Sequence, residues 1–225
     1  MWLCNSSIGR KVVMSVTGVA LILFLTFHMS MNIAALFSGE AYNMICEFLG
    51  ANWYALVATL GLAALAVIHI IYAFWLTMQN RKARGNERYA VTTRPAGVEW
   101  SSQNMLVLGI IIILGLLLHL FNFWYNMMFA ELTGITVAHD PADGYAYIVD
   151  TFACPVYVVL YIVWIVALWF HLTHGFWSAM QTFGWSGKTW FCRWKVIGIV
   201  YSTLLCLGFL VVVLWFAAKG LCGCC

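Results

Sequence analysis

MLVLGIIIILGLLLHLFNFWYNMMF, residues 105–129, runs for 25 residues without an Asp, Glu, Lys or Arg. At a rise of about 1.5 Å per residue, a helix of that length crosses a hydrocarbon core of ~30 Å. Near its middle stands one imidazole, His119. A polar, ionisable ring at that depth is costly, which makes it a candidate for function. The rest of the chain shows whether this segment is one span among several and whether its histidine has counterparts.

Four further apolar runs cover about 12–37, 54–78, 154–180 and 196–218. Of the 225 residues, 64% are hydrophobic and 8% charged, and the mean hydropathy is +0.91. A soluble domain is about a quarter charged, so lipid is the solvent for most of this surface. The expectation is an all-α fold, a single membrane domain over 1–225 with five transmembrane helices. Arg10 and Lys11 precede the first run as in a signal peptide. That run, however, far exceeds the ~7–15 apolar residues of a signal core, and no small-x-small site closes it. It reads as a retained helix. The net charge of +3 and the lack of a basic, aromatic-interleaved patch give no reason to expect nucleic acid.

The charges fix an orientation. Arg10, Lys11, Arg81, Lys82, Arg84, Arg88, Arg94, Lys188, Arg193 and Lys195 are ten of the eleven basic residues, and all fall on one side of the five runs. The opposite loops, 38–53 and 130–153, hold Glu40, Glu47, Glu131, Asp140, Asp143 and Asp150 and no Lys or Arg. The positive-inside rule places the N-terminus in the cytoplasm and the C-terminus outside. The basic segment 79–104 is then a docking surface for a cytoplasmic partner or anionic lipid. Eight cysteines include no C-x-x-C-H, so covalent c-type haem is not supported. Cys46 and Cys154 share the acidic side and are placed to pair if that side is oxidising. Cys222, Cys224 and Cys225 read as a frayed tail, with metal binding as the alternative.

Each of the first four runs carries one histidine near mid-depth: His28, His69, His119 and His171. His28 and His119 lie about nine and ten residues from the acidic ends of their helices. His69 and His171 lie about nine from the basic ends of theirs. Two levels result, on the order of 10–15 Å apart. Two stacked pairs of imidazoles from different helices are what bis-histidine ligation of two haem irons requires. Ala58, Ala66, Ala73, Gly115, Gly175 and Ser178 leave room for a macrocycle, though small residues also serve plain helix packing. The rival of another class is a histidine-lined proton channel or transporter. It lacks buried carboxylates and the broken helices of such proteins.

At this point the chain resembles the cytochrome b subunit of succinate:quinone oxidoreductases (succinate dehydrogenase and fumarate reductase) of the five-helix, two-haem type. The resemblance rests on the opening SSIGRKVVMSVTG (6–18), the four histidines, Val98-Glu99-Trp100-Ser101-Ser102, and HLTHGFWSAMQTFG (171–184). It implies two haems b, with His28 and His119 holding an outer one and His69 and His171 an inner one. It further implies a flavoprotein and an iron–sulfur subunit on the cytoplasmic face, menaquinone or another quinone as redox partner, and the cytoplasmic membrane of a prokaryote. A dimer of heterotrimers is compatible with it.

Haem propionates need cationic and hydrogen-bonding neighbours, for which Arg10, Lys11, Ser7, Ser15, Lys82, Trp100 and His174 are candidates. Snorkelling to head groups accounts equally for the basic ones. For quinone, Glu47 is the best acid, with Glu40 second and Asn32 as a hydrogen-bond donor. One departure stands out: some two-haem members carry a glutamate two residues before the fourth ligand, where this chain has Trp169. A flavin fingerprint and iron–sulfur cysteine spacing are both missing, so dicarboxylate chemistry is assigned to a partner subunit. The cytochrome b of a hydrogenase or formate dehydrogenase is the alternative oxidoreductase.

Overall fold

In the computed structural model, residues 6–85 and 99–222 are described, the side chains of Arg84 and Cys222 excepted. The middle of the basic connection and the Cys224 and Cys225 tail lie outside the described residues. The helices are α1 (Ser7–Ile33), α2 (Gly39–Phe48), α3 (Trp53–Arg84), α4 (Trp100–Gln103) and α5 (Met105–His119), followed by α6 (Ala130–Thr133), α7 (Gly144–Ala153), α8 (Pro155–Thr182) and α9 (Trp190–Cys222). A π-helical stretch, Leu120–Phe129, joins α5 to α6. Five segments are long and apolar enough to cross a membrane: Ser7–Leu36, Trp53–Ala83, Met105–Thr133, Pro155–Thr182 and Trp190–Leu221.

These spans outrun the apolar stretches, mainly at the basic end. Apolarity stops at the first charge, but Arg and Lys are good helix formers whose stems can lie along lipid. The Ser6 hydroxyl therefore caps α1 by accepting from Gly9 N at 2.9 Å. α3 continues to Arg84, and α9 begins at Trp190 rather than near 196. Pro155 opens α8, where a missing N–H costs nothing. The π-helical turn is a second departure from a plain α-helix over 105–129. Within it the Asn126 side-chain amide donates to the Phe121 carbonyl at 3.0 Å, five residues back.

The acidic loops are not irregular. α2 and α7 are short helices capped by Ser38 and Asp143. Asn43 donates to Asp143 Oδ1 at 2.7 Å and accepts from Tyr145 N at 2.9 Å, so the two helices brace each other across that end. Cys46 and Cys154 are both free thiols. Cys46 faces Tyr42 and Gly144 instead of Cys154, and burial pushes its thiol up to about 11. A protonated thiol is a poor nucleophile, which works against the pairing considered above.

Four helices form a ring in the order α3, α1, α8, α5, closed only loosely between α5 and α3. α9 lies outside it along α8 and α1. Lipid is as apolar as Leu, so van der Waals fit rather than the hydrophobic effect holds such helices together. The best-packed region lies where α7, α8 and α9 meet, with Phe216 and Ile148 at most 2% exposed. Leu60, Val67, Leu114, Val163 and Leu204 point outward as the lipid-facing coat.

Candidate functional site: two histidine pairs on the diagonals of the bundle

Ring order decides which histidines meet. α1 and α5 sit on one diagonal, α3 and α8 on the other, and among the described residues neither diagonal couple packs along its partner. Side chains alone bridge each gap. The His28 and His119 ring centres are 5.7 Å apart at an interplanar angle of 85°. Those of His69 and His171 are 6.4 Å apart at 66°. The pairing expected from depth is the pairing observed.

The two levels are also separated as expected. Thr17 of α1 touches His69, and His28 lies eleven residues further along, about 16 Å of helix. On α8, Tyr161 and Trp164 flank His119 at 6.3 and 5.6 Å. They precede His171 by ten and seven residues, or roughly 10–15 Å.

Three observations test whether haem fits these residues. An imidazole nitrogen lies about 2 Å from a metal it ligates. It is little more than 1 Å from its own ring centre, so trans ligands hold their centres roughly 6–6.5 Å apart. The inner pair matches this, and the outer is slightly tighter. Nδ1 of His119 and Nδ1 of His171 are buried with no hydrogen-bond partner among the described residues. Yet both residues keep some accessible surface, as do His28 and His69. Finally, among the described residues no three His, Cys, Asp or Glu gather as a metal-ion cluster. The donor sets are pairs, as haem with its own four equatorial nitrogens needs. The residues fit the group.

Room beside the rings differs from expectation in one respect. Gly175 is open, with no heavy atom within 4 Å of where a Cβ would stand. The notch at Gly115 is instead filled by the Trp164 indole, whose Nε1 donates to the Ile112 carbonyl at 3.1 Å. Phe24 stacks on His28 at 5.4 Å, and Phe123 lies 5.1 Å from His119, so the acidic-side pair is walled by aromatics.

The other candidates are scattered. Ser7, Lys11 and Lys82 are exposed at the basic end, Ser15 is buried, and Arg10 lies 5.5 Å over the Trp75 ring. Glu40 and Glu47 are both exposed on α2. Asn32 spends its amide on the His28 carbonyl at 2.8 Å and accepts from Tyr42 OH at 3.2 Å. Trp169 donates to Thr203 Oγ1 at 2.9 Å.

Glu99, so far only a member of the stretch Val98–Ser102, is a hub of contacts. Lys195 Nζ is 2.8 Å from one carboxylate oxygen, while Trp177 Nε1 and His174 Nδ1 lie 3.2 and 3.5 Å from the other. The network borders a cavity of about 280 Å³ walled by Trp100, Trp169, Phe170 and Trp177. At 100° per residue, those α8 positions face away from His171, so this cavity is separate from the histidine pairs. Partial burial raises the Glu99 pKa, but the bond and charge of Lys195, with His174 and Trp177, outweigh it and hold the carboxyl below its ordinary value.

Fold and site together define an all-helical, multi-pass membrane protein with one buried histidine pair on each diagonal of a four-helix ring. Comparison with family models, with curated proteins and with solved structures finds no match to this chain.

Proposed function

We propose that the chain is the dihaem cytochrome b subunit of a prokaryotic succinate dehydrogenase or fumarate reductase. It anchors the flavoprotein and iron–sulfur subunits to the cytoplasmic membrane and links them to a quinone, menaquinone in the first instance. The observation that carries this reading is the diagonal pairing, with ring centres at 5.7 and 6.4 Å. Hydrogen bonding between neighbours would not need four helices, two levels and two pairs set across the diagonals.

Bound at the two levels, haem would supply a pair of one-electron couples between the two faces of the membrane. The chain's own part is to present one imidazole from each side and to exclude water with Phe24, Phe123, Tyr161 and Trp164. At the basic end it offers Arg10, Lys82, Trp100 and His174 near the surface. Quinone is assigned to the acidic end, where Glu47, Glu40 and Asn32 are the groups available for proton exchange.

The test is spectroscopic. Purified protein should show b-type α-bands in a reduced-minus-oxidised spectrum and two haems per chain, and in membranes fumarate should reoxidise them. His28→Ala or His119→Ala should each remove one haem, and His69→Ala or His171→Ala the other. A colourless preparation, or loss of the same haem from variants of both pairs, would overturn the reading.

A further inference from the structure

Thr17 stands on α1, eleven residues before His28, and its side chain reaches across to His69 of α3. Its hydroxyl oxygen is 2.9 Å from the Val13 carbonyl and 3.1 Å from the Met14 carbonyl, and also 3.1 Å from His69 Nδ1. A hydroxyl has one hydrogen, and a carbonyl can only accept. Turning that hydrogen towards His69 would leave two carbonyl oxygens facing a bare hydroxyl oxygen inside a residue only 4% exposed. The hydrogen therefore goes back to the α1 backbone, and the oxygen is left to accept from His69 Nδ1–H.

We infer that Thr17 is a positioning residue that holds His69 in its Nδ1–H tautomer and leaves the Nε2 lone pair for the iron of the inner haem. Gly18 completes the seat: a Cβ there would stand 3.3 Å from His69 Cε1, tighter than side chains normally approach, and 3.7 Å from Nδ1. The imidazole lies against bare backbone on one side and is tied by Thr17 on the next. By contrast, Nδ1 of His119 and Nδ1 of His171 have no hydrogen-bond partner among the described residues. The lock thus acts on one ligand of one pair. Outer-shell partners of metal-ligating histidines fix tautomer and ring orientation in this way.

The inference rests on the dihaem reading, and the experiment separates the two. Thr17→Val keeps the shape and removes the hydroxyl, and Thr17→Ser keeps the hydroxyl. In the purified full chain, Thr17→Val should weaken retention of one haem on the order of 10–100-fold. It should also move that haem's midpoint potential and ferric low-spin EPR signal, leaving the other haem at wild-type occupancy as the control for folding. Thr17→Ser should restore both. Wild-type spectra and occupancy in Thr17→Val, equal loss of both haems, or failure of Thr17→Ser to rescue would each overturn the inference. Should the wild-type chain prove free of haem, the dihaem reading falls. The lock is then read from imidazole 15N shifts of His69, which must report Nδ1–H in the wild type and a changed tautomer mixture in Thr17→Val.

Discussion

At the scale of single residues, Glu99 carries the clearest dependence on pH. Its carboxyl is held below the ordinary value of 4.5 because Lys195, His174 and Trp177 all favour the charged form. A depressed carboxylate stabilises the fold fully above its ordinary titration range, and that contribution disappears as pH falls through the lowered value. Glu99 remains 34% exposed, so screening limits the ion pair to at most about 1 kcal/mol. Acidifying the detergent-solubilised protein below the ordinary carboxylate range should therefore lower its Tm by a few degrees. Glu99→Gln should start lower and lose less over the same interval; a variant that tracks the wild type across it would remove the role. This hub was hidden in the sequence because Glu99 and Lys195 are 96 positions apart and no periodicity joins them. The four histidines were legible for the opposite reason. Each is a lone imidazole in an apolar run, and constant helix rise converts position into depth.

At the scale of elements, the cores of the five spans were legible and their edges were not. The helices continue through Arg10, Lys82 and Lys195, where apolarity has already stopped. α2 and α7 were also missed, because ten-residue helices at a membrane edge carry too few residues to separate from loop. Depth pairing could be read in advance, whereas the diagonal arrangement depends on which faces pack. Gly115 shows the difference. It was expected to leave space for a macrocycle, but α5 and α8 approach so closely there that the Trp164 ring occupies the notch. A Cβ at this position would overlap that indole, so Gly115→Ala forces the ring aside and endangers its 3.1 Å bond to the Ile112 carbonyl. Overpacking of this kind costs about 1–3 kcal/mol. Because Trp164 also lies 5.6 Å from His119, the proposed dihaem reading expects the damage at the acidic-side haem before the other. Measured haem occupancy after mild heating would show it, and equal loss from both levels would argue against this local mechanism.

At the scale of the whole molecule, orientation links the histidine levels to the two sides of the membrane. Five spans put the two ends of the chain on opposite faces, and ten of eleven basic residues fall, by sequence, in the segments on one side. Moving cationic loops across a bilayer is costly and acidic loops weigh little in the outcome, so the basic end should face the cytoplasm. On the proposed function, His69 and His171 would then form the level nearer the peripheral subunits, and His28 and His119 the level nearer the quinone. Thr136 and Thr189 are exposed at the two ends, one in each set of connections. With Thr136→Cys, intact cells should gain labelling by a membrane-impermeant maleimide over the parent chain. With Thr189→Cys, the gain should appear only after the membrane is opened. The reverse pattern would turn the bundle over, placing the Glu99–Lys195 end outside and away from any cytoplasmic partner. The histidine pairing would survive that result, since it depends on ring order and helix rise alone, but the direction of the proposed electron path between the two levels would have to be reassigned.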